Sequence, residues 1–242
     1  MKLRVMTYNV RACVGTDGRL DPERIARVIA AEAPDVVAMQ ELDVGRRRSG
    51  QSDQPHLIAQ DLNMHFHFHP AFEVEEERYG NAILSRYHVN IVHQGELPSL
   101  PQLKSEKRGA LWIQIDVNGR SVQVINTHLG LNEPERHVQT AALLGEDWLK
   151  NSRCVSPRIL CGDFNTRPRS AICRQFCGEH HSADFRLTEA SHGATWPTLF
   201  PVFRLDHVFV SPDFKITSVY IPKTALTRRA SDHYPVVVDL EL

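Results

Sequence analysis

The segment RILCGDFNTRP, Arg158 to Pro168, sets a carboxylate and a carboxamide, Asp163 and Asn165, directly after an apolar run of β character. Alternate residues of an extended chain point the same way, so the two polar groups share a face. Strand termination before a helix opened by Pro168 explains them as well as chemistry does. The arrangement recurs, however. TYN ends at Asn9, DVVAMQE at Glu41 and VQVINTH at His128, while RLDHVFV starts around Asp206 and SDHYPVVV with Asp232 and His233. One such end is adequately a turn. Six of them match the needs of phosphoryl chemistry: carboxylates for a hard cation such as Mg²⁺, a further carboxylate to activate water, and His and Asn to meet the charge developing on phosphate.

The elements that must position these groups alternate between strand and helix. LRVMTYN and DVVAMQ read as strands on either side of DPERIARVIAAE, a helix with Asp21 as N-cap, Pro22 at its first position and an apolar stripe at Ile25, Val28 and Ile29. A second helix covers Leu57 to Leu62. NAILS, ALWIQIDV and SVQVINTHL are strands, the latter two a hairpin turning at Asn118-Gly119. EPERHVQTAALLGEDWL reads as one long amphipathic helix, and LDHVFVS, FKITSVYI and PVVVDLEL complete the sheets. Hairpins beside strand-helix-strand units call for mixed sheets.

Composition narrows the class. A chain of 242 residues with 42% hydrophobic and 24% charged residues supports a sizeable core, as one large domain or two small ones. No apolar run is long enough to span a membrane. MKLRVMTYNV enters a strand without the apolar core or cleavage site of a signal peptide. The five cysteines show no zinc spacing, and Cys173 and Cys177 suit helix packing, so a cytoplasmic setting is expected. The formal net charge of −1 argues against extended, non-specific duplex binding. No protein partner is legible.

In order, TYN, QE, GNAILSR, NTHL, GDFN, LDHVFVS and SDHYPV resemble the motifs of the endonuclease/exonuclease/phosphatase superfamily, which includes DNase I-like nucleases, AP endonucleases, neutral sphingomyelinases and inositol polyphosphate 5-phosphatases. The resemblance runs from Val5 to Val238. It implies a single domain over residues 1–242, folded as a four-layer α/β sandwich of two mixed sheets face to face with helices outside. It further implies that Glu41 is the principal metal carboxylate with Asn9 beside it, and that Asp232 is a second acidic group near a Mg²⁺ or Mn²⁺ ion. By the same resemblance Asp163 deprotonates the attacking water, and Asn165 holds that water and a phosphate oxygen. His233 contacts the scissile phosphate, oriented by Asp206, and His128 is a further phosphate-facing histidine. Arg11 departs from the pattern, standing where several nucleases carry an acidic residue.

Other residues have weaker claims. Asn81 is a candidate for a phosphate or leaving-group contact, whereas core packing explains Tyr79. Arg46 and Arg47, with Arg48, could steer an anionic substrate or merely line a solvated loop. His65, His67 and His69 share one strand face with metal-ladder spacing, but a half-exposed strand accounts for them without a metal. Trp196, Phe200 and Phe203, in the loop Ser191 to Arg204, could stack on a base, face a lipid or pin the loop. The expected activity is a metal-dependent phosphodiesterase, with nucleic acid as the first substrate, a phospholipid or sphingolipid headgroup or a soluble phosphate ester as the alternative, and an inactive binding module disfavoured because every catalytic position is filled.

Overall fold

The computed structural model describes residues 2–177, 181–182 and 193–242. Its strands form two six-stranded sheets. One runs β11 (Lys215–Tyr220), β12 (Val236–Glu241), β1 (Lys2–Asn9), β2 (Val36–Val44), β4 (Glu77–Ser85) and β3 (His65–Val74) from edge to edge. The other runs β5 (Val89–Glu96), β6 (Gly109–Val117), β7 (Arg120–His128), β8 (Arg158–Asp163), β10 (Asp206–Val210) and β9 (His181–Ser182). Alternation of side chains divides the apolar residues into three layers. Val5, Val36 and Ile83 of the first sheet meet Ile113, Val124 and Ile159 of the second between the sheets. The opposite face of the first sheet, with Met6, Met39 and Leu84, packs on α1 (Pro22–Glu32) and α2 (Gln54–Leu62). Trp112, Ile125 and Leu160 of the second sheet are covered by α3 (Glu133–Leu143) and α4 (Ala171–Cys177). The result is the four-layer α/β sandwich expected. Each fully buried side chain of these layers contributes about 1.5–3 kcal/mol, and truncating Ile113 to Ala would cost about 2–5 kcal/mol.

Each sheet contains one parallel pair at its centre, and these pairs position the polar strand ends. β1 and β2 run parallel with Asn9 opposite Gln40, and β7 and β8 run parallel with His128 opposite Asp163. Parallel neighbours finish at the same edge. β10 and β12 are antiparallel to β8 and β1, so they begin where those strands end. All the polar ends therefore gather along one edge of the sandwich.

Local signals explain most elements. Asp21 accepts from Arg24 N at 2.8 Å and caps α1, with Pro22 following it as read. Asn118 (φ 55°) and Gly119 (φ 81°) make the turn of the β6–β7 hairpin. The long helix expected from Glu133 is shorter: α3 ends at Leu143, where Gly145 N turns back to Ala142 O and the chain leaves in turns that bury Trp148 and Leu149. β5 escaped the sequence reading because its polar residues interrupt the alternation. Ser191 and His192, in the aromatic loop, lie outside the described residues. No cysteine pair among the described residues forms a disulfide. No helix among them is long and apolar enough to cross a membrane.

Candidate active site

Asp163 divides its two oxygens between structure and cleft. Its Oδ1 accepts from Asn165 N at 2.9 Å, closing the turn after β8, where Asn165 takes a left-handed φ of 48°. Its Oδ2 accepts from Asn9 Nδ2 at 3.0 Å and faces His128 Nε2 at 3.6 Å and His233 Nε2 at 3.8 Å. Turn-making and cleft-lining thus both hold for this residue. The strand before it is fitted closely: a Cβ at Gly162 would stand 1.9 Å from Thr127 O, so a side chain there would push β8 off β7 and Asp163 away from His128.

Glu41 reaches the same cleft by a bulge. Gln40 and Glu41 on β2 oppose the single residue Asn81 on β4, since the register passes from Met39–Ala82 to Leu42–Gly80. Glu41 takes a φ of 62°, costly for a residue with a Cβ, and its Oε1 accepts from Asn9 Nδ2 at 3.0 Å. One amide group of Asn9 therefore joins the carboxylates of Glu41 and Asp163. Burial raises the pKa of Glu41, and no ion pair to it is found among the described residues. The charges of His233 and Arg108 oppose that rise without cancelling it, so a bound cation would be favoured there.

His233 is held from behind. Its Nδ1 lies 2.9 Å from Asp206 Oδ2, leaving Nε2 toward the cleft. Asp206, the first residue of β10, pairs with Asp163 across the antiparallel ladder. Ser231 Oγ donates to Asn9 O and accepts from His233 N, tying the approach to β12 onto β1. Burial alone would lower the pKa of His233, but the carboxylates of Asp206 and Asp163 hold it at about 10, so the ring is an imidazolium at neutral pH. Burial, with Asp206 adding to it, pushes Asp163 up to about 6. Asp163, Asp206 and His233 bring ligand atoms within 4.8 Å of one another. That triad is already occupied by its own cation, the imidazolium. The carboxylate oxygens of Glu41 and Asp232 are the better fit to Mg²⁺ or Mn²⁺, with Asn9 beside them turning its amide NH2 to Glu41.

His128 behaves oppositely. Burial, then Arg108 and His233, keep its pKa well below the ordinary value. Both ring nitrogens face donors: Arg108 Nη1 at 3.5 Å from Nδ1, and Asn165 Nδ2 at 3.1 Å from Nε2. The Asn165 amide is oriented by its second bond, Nδ2 to Leu129 O at 2.9 Å. His128 is therefore neutral beside a charged His233.

Asp232 lies at the rim, with Arg11 Nε 3.7 Å and Trp196 Nε1 3.4 Å from its Oδ2. Arg11 thus places a cation where the resemblance led one to look for an acid. Arg108 was missed. It stands before Gly109 at the start of β6, beside the end of β7, so the strand-end rule applied to arginines would have found it. Arg136, whose charge bears on Asp163, was also missed.

The weaker candidates are placed differently. Asn81 spends its amide on Gly109 O at 3.0 Å and so holds the start of β6. Arg46 lies 3.5 Å from Asp43 and 3.6 Å from Glu77, over the rings of Phe72 and Tyr79, and Arg48 clamps Asp43 at 2.7 and 2.8 Å. Arg47 is exposed on the same loop. Tyr79 is buried, as packing required. His65 packs on His88, His67 Nε2 meets Gln94 Oε1 and His69 is buried near Gly109, so the three histidines seal the seam between β3 and the second sheet. They form no metal cluster among the described residues.

With two mixed sheets and this edge, the chain belongs to the endonuclease/exonuclease/phosphatase family, whose model matches residues 6–233. It is 29% identical over 169 residues to the uncharacterized protein YbhP of Escherichia coli, a match covering 69% of this chain and 64% of that protein. A mannosyl-6-phosphatase of Bacteroides thetaiotaomicron shares the fold with a TM-score of 0.79 at 21% identity, covering 99% of this chain and 100% of that one. TDP2 of D. rerio, solved with a single-strand DNA product, has a TM-score of 0.67 at 18% identity, covering 100% and 99%.

Proposed function

We propose that this family member is a divalent-metal-dependent phosphodiester hydrolase, built as a single domain over residues 1–242, that uses water as its nucleophile. The observation that carries the reading is the pairing of Asp163 Oδ2 with His233 Nε2 at 3.8 Å, a carboxylate near pKa 6 against an imidazolium near 10. Asp163 takes the proton from water, its other oxygen fixed by the Asn165 backbone. His233 donates from Nε2 to a phosphate oxygen, its ring fixed by Asp206. Asn165 steadies the water through its Oδ1, its amide NH2 being held by His128 and Leu129 O, and neutral His128 and the Arg108 guanidinium complete the phosphate pocket. Glu41 and Asp232, with Asn9 beside them, would hold Mg²⁺ or Mn²⁺, which supplies charge neutralisation to the phosphate when bound.

For the substrate, the nucleic-acid reading draws on the arginines of the rim and on the likeness to TDP2. A lipid phosphodiester is the second reading, favoured by the apolar loops beside the cleft. Hydrolysis of bis-p-nitrophenyl phosphate with Mg²⁺ or Mn²⁺, against Asp163→Asn, tests the chemistry. Plasmid DNA, abasic duplex, single-stranded RNA, sphingomyelin and inositol phosphates separate the substrates. Turnover of the diester by Asp163→Asn at the wild-type rate would overturn the assignment of the base.

A further inference from the structure

The three most exposed large apolar side chains among the described residues are Phe200 at 76%, Leu131 at 70% and Leu199 at 58%. All three stand on the two loops that flank the candidate site. Leu131 lies two residues beyond Leu129, whose carbonyl holds Asn165. Leu199 and Phe200, with exposed Val202, form the tip of a loop whose base pairs Trp196 with Phe203. That base touches the site directly, since Trp196 donates to Asp232 and packs 6.4 Å from His233. Thr198, buried within the loop, bonds Asp232 O through its N at 2.9 Å.

Each of the two loops is held by an arginine. Arg136 Nη1 donates to Gly130 O and Leu131 O, and Arg228 Nη2 donates to Leu199 O at 3.4 Å. Arg167 lies 4.4 Å over the Phe203 ring, and Arg11 and Arg229 are exposed on the same bank. The opposing charges are Asp232, 3.7 Å from Arg11, Asp17, 3.8 Å from Arg229, Glu106 beside Arg108 and Glu133 on the Arg136 side of the cleft. Arg136, Arg167 and Arg228 make no ion pair among the described residues, which leaves cations at the bases of the two tips.

We propose that the two loops dock the cleft onto an anionic phospholipid bilayer. Aliphatic tips such as Leu131, Leu199 and Val202 have no π-face for a nucleobase, whereas they suit the acyl boundary of a membrane. Arginines at the base of each tip lie at headgroup depth, where anionic lipid attracts them. Isolated exposed leucines are ordinary; the three largest exposures gathered at one mouth are not. The proposal deepens the lipid reading of the site, but docking is measurable without turnover.

The test is co-sedimentation of the full chain, in EDTA, with vesicles of phosphatidylcholine alone or mixed with phosphatidylglycerol. Wild type should bind the anionic vesicles and bind pure phosphatidylcholine more weakly. Phe200→Asp or Leu131→Asp should weaken binding by about tenfold or more, and Arg228→Glu should weaken it toward the level on phosphatidylcholine. Val155→Asp is the control: Val155 is 55% exposed but lies beyond the opposite end of β8, about 20 Å from Asp163. All variants should retain the wild-type melting temperature and hydrolyse bis-p-nitrophenyl phosphate unchanged. Wild type that ignores both vesicles overturns the proposal, as does equal loss in Val155→Asp. Failure to bind vesicles, with single-stranded oligonucleotide binding that Phe200→Asp and Leu131→Asp abolish, would assign the surface to nucleic acid instead. Absent diester hydrolysis with intact vesicle binding would overturn the catalytic reading and leave docking standing.

Discussion

His233 Nδ1 lies 2.9 Å from Asp206 Oδ2, although the two residues are 27 positions apart, one opening β10 and the other preceding β12 in the other sheet. The bond fixes which ring nitrogen faces the cleft and favours the charged ring. His233→Ala should lower kcat by on the order of 10²–10³-fold, the usual loss for one transition-state donor. Asp206→Asn should lose a large part of that factor. The double variant should be little worse than His233→Ala alone, because groups acting as a unit are not additive. Losses that multiply in steady-state kinetics would separate the two residues.

Glu41 offers a test without turnover. Burial raises its pKa, so its ionised form costs stability at neutral pH when no cation is present. Glu41→Gln should raise the melting temperature of the chelated protein by about 2–4 °C per kcal/mol recovered. Mg²⁺ or Mn²⁺ should stabilise wild type in differential scanning fluorimetry and leave the variant unmoved. An equal metal-induced shift in both would remove Glu41 from the cation site.

The pH dependence of the chelated protein follows from His233. Its folded pKa, about 10, lies above the ordinary 6.5 of the unfolded chain, so its stabilisation is complete below about 6.5 and fades as pH rises toward 10. Asp163 works in the same direction over a lower range: its raised value makes the ionised carboxylate a cost that appears as pH climbs through about 4 to 6, so stability falls with rising pH through both windows. Nitrogen-15 spectra of the histidines at pH 8 should show His233 doubly protonated and His128 neutral. A neutral His233 at pH 8 would undo both assignments.

Arg108 combines burial with a position beside His128 and Glu106. Arg108→Met keeps the stem and removes the charge. It should raise KM for a phosphodiester by about tenfold, with a smaller change in kcat, and should let the pKa of His128 rise. A kcat loss with KM unchanged would place Arg108 in transition-state stabilisation alone.

The strand-end groups were legible because each follows or precedes an apolar run whose alternation fixes where the strand stops. Asn9, His128, Asp163 and Asp206 needed only that rule and the parallel order of their strands. Glu41 was legible by position, but its bulge was not, since nothing local asks a Glu to adopt a positive φ. Asn81 was read toward phosphate, yet its amide answers to Gly109 O, a partner on the other sheet. Arg108 and Arg136 carry no pattern of their own, and a lone arginine gains meaning only when folding sets it against a histidine or a carboxylate. The end of α3 at Leu143 was set by where Trp148 and Leu149 could be buried, against a local propensity that would have continued the helix.

β12 lies between β11 and β1, with Leu240 opposite Leu3. β12 thus seats beside a strand more than 200 residues before it in the sequence, and Asp232 and His233 arrive with it. During synthesis, Glu41, His128 and Asp163 leave the ribosome before Asp206, Asp232 and His233. Through that interval β1 has an open side, Asp206 has no ring to orient and Arg11 has no carboxylate opposite it. The cleft is therefore completed in the same event that seats β12 between β11 and β1.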